Sequence, residues 1–461
     1  MARLLIFNQY FPPDTAATAK MAALVAHAFA ERHRVTVLAG RPSYDPDKRH
    51  PAYPLRREQV NGVVVERVGS TAFSRNGMWG RLANYFSYLA LAVPRVLLIE
   101  SDIVLAMTDP PVAGIAGAFV AATRRRPFIY NVRDLYPEVA VESGLVRRGA
   151  WTAAWERLHR WALMRADLVV VLGEDMRERI VAKGIPGVRV VVVRDGAPIP
   201  TAVPGVGHPV AQEVRGGFRF VVLHAGNLGF YGAWETLVRA AVLLEGEGAG
   251  FVFIGAGAAA ARVQALAAQA NGCVRFLSFR PASEVPYVLA AGDLHVVTVR
   301  RGLEGVVVPS KLYGILAAGR PVLAVAPEAS DVARVVRRYG CGFVADPDRP
   351  ESVARAVREA MASPGDLAAM GARARAAARD FEQKAELERF VRVVEAVRSS
   401  RRGGFRAPRC QPPESGEACT RSVVEELVCR DHVGIGFLTQ GEEEGIVHGL
   451  AEAMRAPDLP E

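Results

Sequence analysis

Short apolar runs alternate with amphipathic stretches along most of this chain. "RLLIF" reads as a buried strand, "AKMAALVAHAFAERH" repeats its apolar positions with a helical period, and "RVTVLAG" is a strand again. Strand, loop, helix, strand is the opening of a parallel sheet, because parallel neighbours need a crossover connection. The pattern continues through "DIVLAM", "PFIYNVRD", "ADLVVVLG", the helix "EDMRERIVAKG" and "VRVVVVRDG". These predict one doubly wound domain over residues 1–197. Residues 198–216 are rich in Pro and Gly, lack a clear period and read as a linker. A second series runs from "FRFVVLHAGNLG" through "GFVFIGAG", "VRFLSF", "LHVVTV", "KLYGILAAG" and "PVLAV", predicting a second parallel-sheet domain over 217–380. The charged stretch "DFEQKAELERFVRVVEAVRSS" predicts a closing helix over 381–400. The expected fold class is α/β, with two doubly wound Rossmann-like domains facing across a cleft. Such sheets bind ligands at the carboxyl ends of their strands.

Residues 401–461 break the pattern and form a C-terminal extension. "RRGGFRAPRCQPPESGEACTR" has the composition of a disordered segment. Beyond it, "GIGFLTQGEEEGIVHGLAEAMRAPDL" echoes "GCGFVADPDRPESVARAVREAMASPGDL" at 340–367. The echo reads either as a partial repeat of one strand-loop-helix unit or as chance.

Charge and cysteine content narrow the partners. Lys and Arg number 57 against 48 Asp and Glu, a formal charge of +9. The basic residues are scattered and no tract interleaves them with aromatics. That suits anionic small ligands or an anionic membrane surface rather than nucleic acid; a solvated Arg-rich surface explains the same excess. An odd, scattered set of five cysteines points to a reducing compartment. The N-terminal apolar run stops at Asn8, Gln9 and Pro12-Pro13, too short for a signal peptide. The later stretch "YFSYLALAVPRVLLIESDIVLAM" carries Pro94, Arg95, Glu100 and Asp102, which break a membrane span. A cytoplasmic protein is expected. "MWGRLANYFSYLALAVPRVLL", with Arg75 before it and Arg81 and Arg95 within, fits either contact with a membrane surface or a helix packed in its own domain.

Three motifs carry candidate chemistry. In "HAGNLG", Gly226, Asn227 and Gly229 follow a strand and let backbone N–H groups approach a phosphate. "FVFIGAGAAAARV", with Gly255, has the G-x-G-x-x-A spacing of a dinucleotide site. The acidic residue expected about 20 positions on is missing, since the next strand ends at Arg280. A glycine turn lining the cleft is favoured, with an NAD(P)-binding enzyme as an alternative. In "VVPSKLYGILAAGRPVLAV", Pro309 and Ser310 predict a helix start with Ser310 as N-cap, and Lys311 falls in the first turn. Lysine opposes the helix dipole there. It is either a solvated surface residue or an anchor for an anion. Lysine is rare here (the others are Lys20, Lys48, Lys183 and Lys384), which favours the anchor. His27, His33, His224 and His295 stand isolated and receive no role. Cys429 and His432 are spaced like half a metal site that nothing completes, so no metal is expected.

"YFPPD", "VRDLYPE", "AGNLG", "VVPSKLYGILAAGRPVLA" and "GCGFVADPDRPESVARAV", in this order, resemble glycosyltransferase family 4. Within it they are similar to the bacterial branch that builds O-antigen, capsule and colanic-acid-type polysaccharide. The resemblance spans about residues 1–398. It implies the GT-B fold and a nucleotide-diphosphate sugar, of the UDP kind, bound mainly by the C-terminal domain. It also implies a polyprenyl-diphosphate-linked acceptor at the membrane, retention of anomeric configuration, and no cofactor or metal. By resemblance, Gly226, Asn227, Gly229, Gly255 and Leu312 belong to the donor side, Ser310 and Lys311 meet the phosphates, and Glu304 lies near the ribose. Asp134 faces the reacting sugar or is an ordinary loop cap, and Asp195-Gly196 marks the domain crossover. The chain also departs from the family. Val306 and Gly314 stand where many members carry glutamates. "LGFYGAWE" lacks the Arg and Lys that often follow the glycine loop. Arg133 stands where histidine is common, and "TAAT" (15–18) replaces a Gly-Gly loop. These departures leave a non-catalytic nucleotide-sugar-binding or partner subunit as an alternative.

Overall fold

The structure, a computed structural model, describes residues 1–44, 50–73, 78–268, 270 and 272–402. The expected repeat, Cys410, Cys419, Cys429 and His432 lie outside these residues, as do Lys48 and Arg75.

The first sheet has eight strands: β1 Arg3–Phe7, β2 Arg34–Gly40, β3 Leu55–Val60, β4 Val63–Val68, β5 Ile103–Ala106, β6 Phe128–Asn131, β7 Leu168–Val171 and β8 Val190–Val192. Their order is β3-β4-β2-β1-β5-β6-β7-β8. The strands are parallel except β3, which runs antiparallel to β4. The second sheet is wholly parallel: β9 Phe220–Ala225, β10 Ala249–Ile254, β11 Val274–Leu277, β12 Leu294–Thr298, β13 Val322–Val325 and β14 Gly342–Ala345, in the order β11-β10-β9-β12-β13-β14. Strands such as Ile-Val-Leu-Ala of β5 and Leu-Val-Val-Val of β7 are buried along their whole length. Helices cover both faces of a parallel sheet, which is why these strands are written as continuous apolar runs. Strand order reverses between β1 and β5 and again between β9 and β12, which opens a crevice at each of those points.

The structure differs from the expected pattern in three places. The β3–β4 hairpin was not expected; β3, "LRREQV", is a largely exposed edge strand whose charges hide its period. Within the expected linker, Pro209–Arg215 is a helix, and its Ala211 and Val214 pack against Val221, Val288 and Ala291 of the second domain. The closing helix, Gln383–Arg402, returns to the first domain. Phe390 meets Phe29 edge-on with centroids 5.5 Å apart, and Glu395 lies 3.1 Å from His33.

The chain therefore crosses between domains twice, and the crossings lie side by side. Ala197 N donates to Phe381 O at 3.1 Å, and Gln383 N donates to Ala197 O at 3.2 Å. Gly196 has φ +58°, and a Cβ there would sit 2.6 Å from Phe381 O. Only glycine meets both demands. Its neighbour Asp195 is 7% exposed and accepts from Arg133 Nη2 at 2.6 Å. Both crossover residues are thus structural.

Candidate active site

At the end of β9 the chain turns through Gly226, whose φ is +141°. A Cβ on Gly226 would lie 3.2 Å from the Lys311 Nζ. Glycine is therefore what lets the ammonium approach this turn. The Gly226–Leu228 turn is backed by the next strand's loop: Gly226 N donates to Ile254 O at 2.8 Å and Leu228 N to Ala256 O at 3.0 Å. A Cβ on Gly255 would fall 2.1 Å from Gly226 O, and one on Gly257 would fall 2.3 Å from Asn227 Oδ1. Backbone contact within the protein accounts for this pair of glycines without a dinucleotide. Gly255 supports the turn from behind. Asn227 is exposed beside it, and Gly229 O accepts from the Trp234 indole at 2.7 Å.

Lys311 opens the helix Lys311–Ala317. Its partly buried Nζ lies 3.0 Å from His224 Nε2 and 6.0 Å from the centre of the Tyr231 ring. No ion pair to Lys311 is found among the described residues. Burial pushes its pKa from the usual lysine range down to about 7. His224 is held well below the ordinary histidine range by burial, and next by the Lys311 charge. It is therefore neutral and accepts from the ammonium. The expectation of an isolated His224 is corrected. Its side chain and Lys311 are 87 positions apart in sequence, and only the pairing of β9 with β12 brings them together.

Ser310 occupies the cap position without capping. Its backbone is already helical (φ −64°, ψ −16°), so its hydroxyl bonds no helix N–H. The residue is exposed. Leu312 is 1% exposed and packs in the core of the second domain, so its side chain faces away from the cleft. Glu304 is engaged too: Oε2 accepts from Gly302 N at 2.7 Å, and Oε1 lies 3.8 Å from the Arg179 guanidinium of the first domain. A Cβ on Gly314 would meet nothing within 4 Å, so the second glutamate position of the family is open space.

The loop leading to Lys311 is tied to the first domain. Asp134 and Val307 form an antiparallel bridge, and Leu135 N donates to Val306 O at 3.0 Å. Val306 is fully buried in a core that also holds Leu135 and Met176, which explains an apolar residue at this position. Asp175 Oδ2 accepts from Gly305 N at 3.0 Å and from Asp331 N at 2.8 Å. Asp331 Oδ1 in turn accepts from Glu174 N at 3.0 Å and from Arg194 at 2.9 Å. Two helix starts thus face each other, each satisfied by the other's acid.

Asp134 therefore stands opposite the Lys311 loop. Burial, and next the charge of Asp109, raise its pKa to about 6, while Arg133 opposes the rise. Tyr231 is raised to about 12, first by burial and then by Asp134. Its hydroxyl donates to Asn227 O at 2.7 Å. The first domain thus supplies carboxylates, Asp134 and Asp109, and the second supplies a partly buried cation with tight turns around it. Sequence reasoning missed Asp109 and Tyr231. One sits in an ordinary-looking "TDPP" loop, the other in "LGFYGAWE", a segment that carries no charge before its final glutamate.

Two parallel α/β domains joined by a double crossover, with such a site between them, have the GT-B architecture. Residues 17–196 match the family "Glycosyl transferase 4-like domain", and residues 211–377 match "Glycosyl transferases group 1". The chain belongs to the GT-B glycosyltransferases that combine these two domains, and it is a transferase. It is 28% identical over 365 residues to the probable glycosyltransferase WbjE of Pseudomonas aeruginosa, covering 75% of this chain and 89% of that relative. It is 26% identical over 148 residues to the putative colanic acid biosynthesis glycosyl transferase WcaI of Escherichia coli K12, covering 31% of this chain and 36% of that relative. Among solved structures, Anabaena Alr3699/HepE in complex with UDP shares the fold with a TM-score of 0.62 at 18% identity, over 87% of this chain and all of that one. WaaG, a glycosyltransferase involved in lipopolysaccharide biosynthesis, does so with a TM-score of 0.60 at 16% identity, over 85% of this chain and 99% of that one.

Proposed function

We propose that this chain transfers a sugar from a nucleotide-diphosphate donor of the UDP-sugar kind to a polyprenyl-diphosphate-linked acceptor at the membrane surface. The transfer retains anomeric configuration and serves a cell-surface polysaccharide of the O-antigen, capsule or colanic-acid type. The observation that carries this reading is the partly buried Lys311 ammonium, held by His224 beside Gly226 with no carboxylate partner found among the described residues. A cation so placed suits a diphosphate. The names of WcaI and of the UDP and UDP-glucose complexes of HepE support the same reading.

Breaking the C1–O bond to the donor gives the sugar oxocarbenium character and places negative charge on the leaving diphosphate. Lys311 and the backbone N–H groups of Asn227 and Gly229 stabilise that charge as it grows. A leaving phosphate oxygen takes the proton of the acceptor hydroxyl. Asp134, with Asp109 behind it, orients that hydroxyl. No helix among the described residues is long and apolar enough to cross a membrane.

Thermal-shift measurements with UDP, GDP, ADP and NAD test the reading. UDP is expected to raise Tm most and NAD not at all; failure of every nucleoside diphosphate would overturn it. The Lys311 pKa gives a second expectation. Below pH 7 the free enzyme carries the ammonium already. Above pH 7 it must take up a proton to bind a diphosphate, so affinity falls by up to roughly tenfold per pH unit. Calorimetric titration of UDP at pH 8, in two buffers of different ionisation enthalpy, is expected to show proton uptake by Lys311 that is much smaller at pH 6.

A further inference from the structure

The loop that carries the chain to Lys311 takes backbone partners from the first domain. Gly302 O accepts from Arg179 Nη2 at 3.0 Å, Val306 O accepts from Leu135 N at 3.0 Å, and Gly305 N donates to Asp175 Oδ2 at 3.0 Å. Gly305 has φ +68°, and a Cβ there would sit 2.4 Å from Asp175 O. Glycine is what lets the two backbones approach this closely. The side chains of Leu303 and Val306 share a core with Leu135 and Met176 of the first domain.

Asp175 is the charged residue at this contact. It lies in the first turn of the helix Glu174–Ala182, where an acid suits the helix dipole. That ordinary role accounts for one oxygen only: Oδ1 accepts from Met176 N of its own helix at 2.8 Å. Oδ2 accepts instead from two N–H groups of the second domain. One is Gly305 N; the other, at 2.8 Å, is Asp331 N at the start of the helix Asp331–Tyr339. A single oxygen thus ties the loop before Lys311 to the helix that follows β13. The carboxylate is poorly placed for its own sake. Asp175 is 6% exposed, and burial, then the charge of Asp331, raise its pKa to about 6. Arg194 lies 2.9 Å from Asp331, but no ion pair to Asp175 is found among the described residues. An apolar residue here would escape that burden and leave the Gly305 and Asp331 N–H groups buried and unpaired.

We propose that Asp175 is a positioning residue: from the first domain it holds the 302–307 loop, and through that loop it sets Lys311 in place for the donor diphosphate, a role that rests on the reading of Lys311 given above. Asp175 touches no reacting atom and acts through Gly305. A loop that is docked for only a fraction of the time weakens donor binding by that fraction, so Asp175 governs affinity rather than the chemical step.

Three variants of the full chain are compared with the wild type, and circular dichroism checks their folds. Hydrogen exchange of the free proteins reads the loop without any donor. In Asp175→Ala the amides of residues 302–308 are expected to exchange at least roughly tenfold faster, while those of β5 and β13 keep the wild-type rate. UDP affinity is expected to fall and donor KM to rise roughly tenfold, with kcat changed less than about threefold. Asp175→Asn keeps one oxygen for Gly305 and Asp331 and loses the repulsion from Asp331; it is expected to recover most of the loss. Gly305→Ala breaks the same contact from the loop side without removing the acid, and is expected to repeat the pattern of Asp175→Ala. Faster exchange confined to the helix Glu174–Ala182, with the loop and UDP affinity unchanged, would make Asp175 a plain helix-start residue and overturn the proposal. So would a fall in kcat at constant KM, an Asn variant no better than the Ala variant, or wild-type UDP affinity in Gly305→Ala. Selective loop exchange in a protein whose wild type binds no nucleoside diphosphate would uphold the hold of Asp175 on the loop and overturn the donor reading instead.

Discussion

Lys311→Ala is expected to lower sugar transfer by a factor on the order of 10²–10³ or more, with Tm unchanged or slightly raised. Stability and activity part company here because the ammonium is a burden on the empty protein. It is desolvated, its pKa has fallen to about 7, and its bond to neutral His224 offsets that cost only in part. Alanine removes the burden. In the reaction the same ammonium meets a diphosphate whose charge grows as the sugar leaves. The "LGFYGAWE" segment contains no Arg or Lys, so no second cation from it shares the load. Near-normal turnover in Lys311→Ala would remove the residue from the chemistry.

Arg133→Ala carries the largest expected effect on stability, about 3–5 kcal/mol in denaturant unfolding. Arg133 is 8% exposed and its partner Asp195 is 7% exposed, with Nη2 and Oδ2 2.6 Å apart. Removing the guanidinium leaves Asp195 buried and unpaired beside Gly196, where the chain leaves the first domain. An apolar double replacement, Arg133→Met with Asp195→Leu, is expected to recover much of the loss, because it removes both desolvated charges. Activity responds separately. Arg133 restrains the rise of the Asp134 pKa above its ordinary value. In the Ala variant Asp134 is expected to ionise at higher pH, shifting the acid limb of the pH–rate profile upward. An unfolding midpoint equal to that of the wild type would show that the pair holds no part of the crossover.

The fold was legible where burial wrote itself into the chain. The runs of β5 and β7, and of β1 after Arg3, are apolar because helices cover both faces of their sheet. The β3 strand was not legible, because an edge strand half in solvent keeps its charges, and neither was Pro209–Arg215, a single short helix with two buried residues. At the site, Gly226 and Lys311 could be read from the turn and from the rarity of lysine. His224, Tyr231 and Asp109 could not, because their roles come from contacts between distant segments. The same limit explains Ser310 and Glu304. Their places near the helix start were readable, but the helical backbone of one and the engagement of the other with Gly302 and Arg179 were not.

The central claim is that Lys311 grips the diphosphate of a sugar donor. Titration of UDP into the wild type and into Lys311→Ala at pH 6, where the wild-type ammonium is mostly charged, tests it directly. The account predicts saturable wild-type binding and at least roughly tenfold weaker binding in the variant. Equal affinity in the two proteins would contradict it.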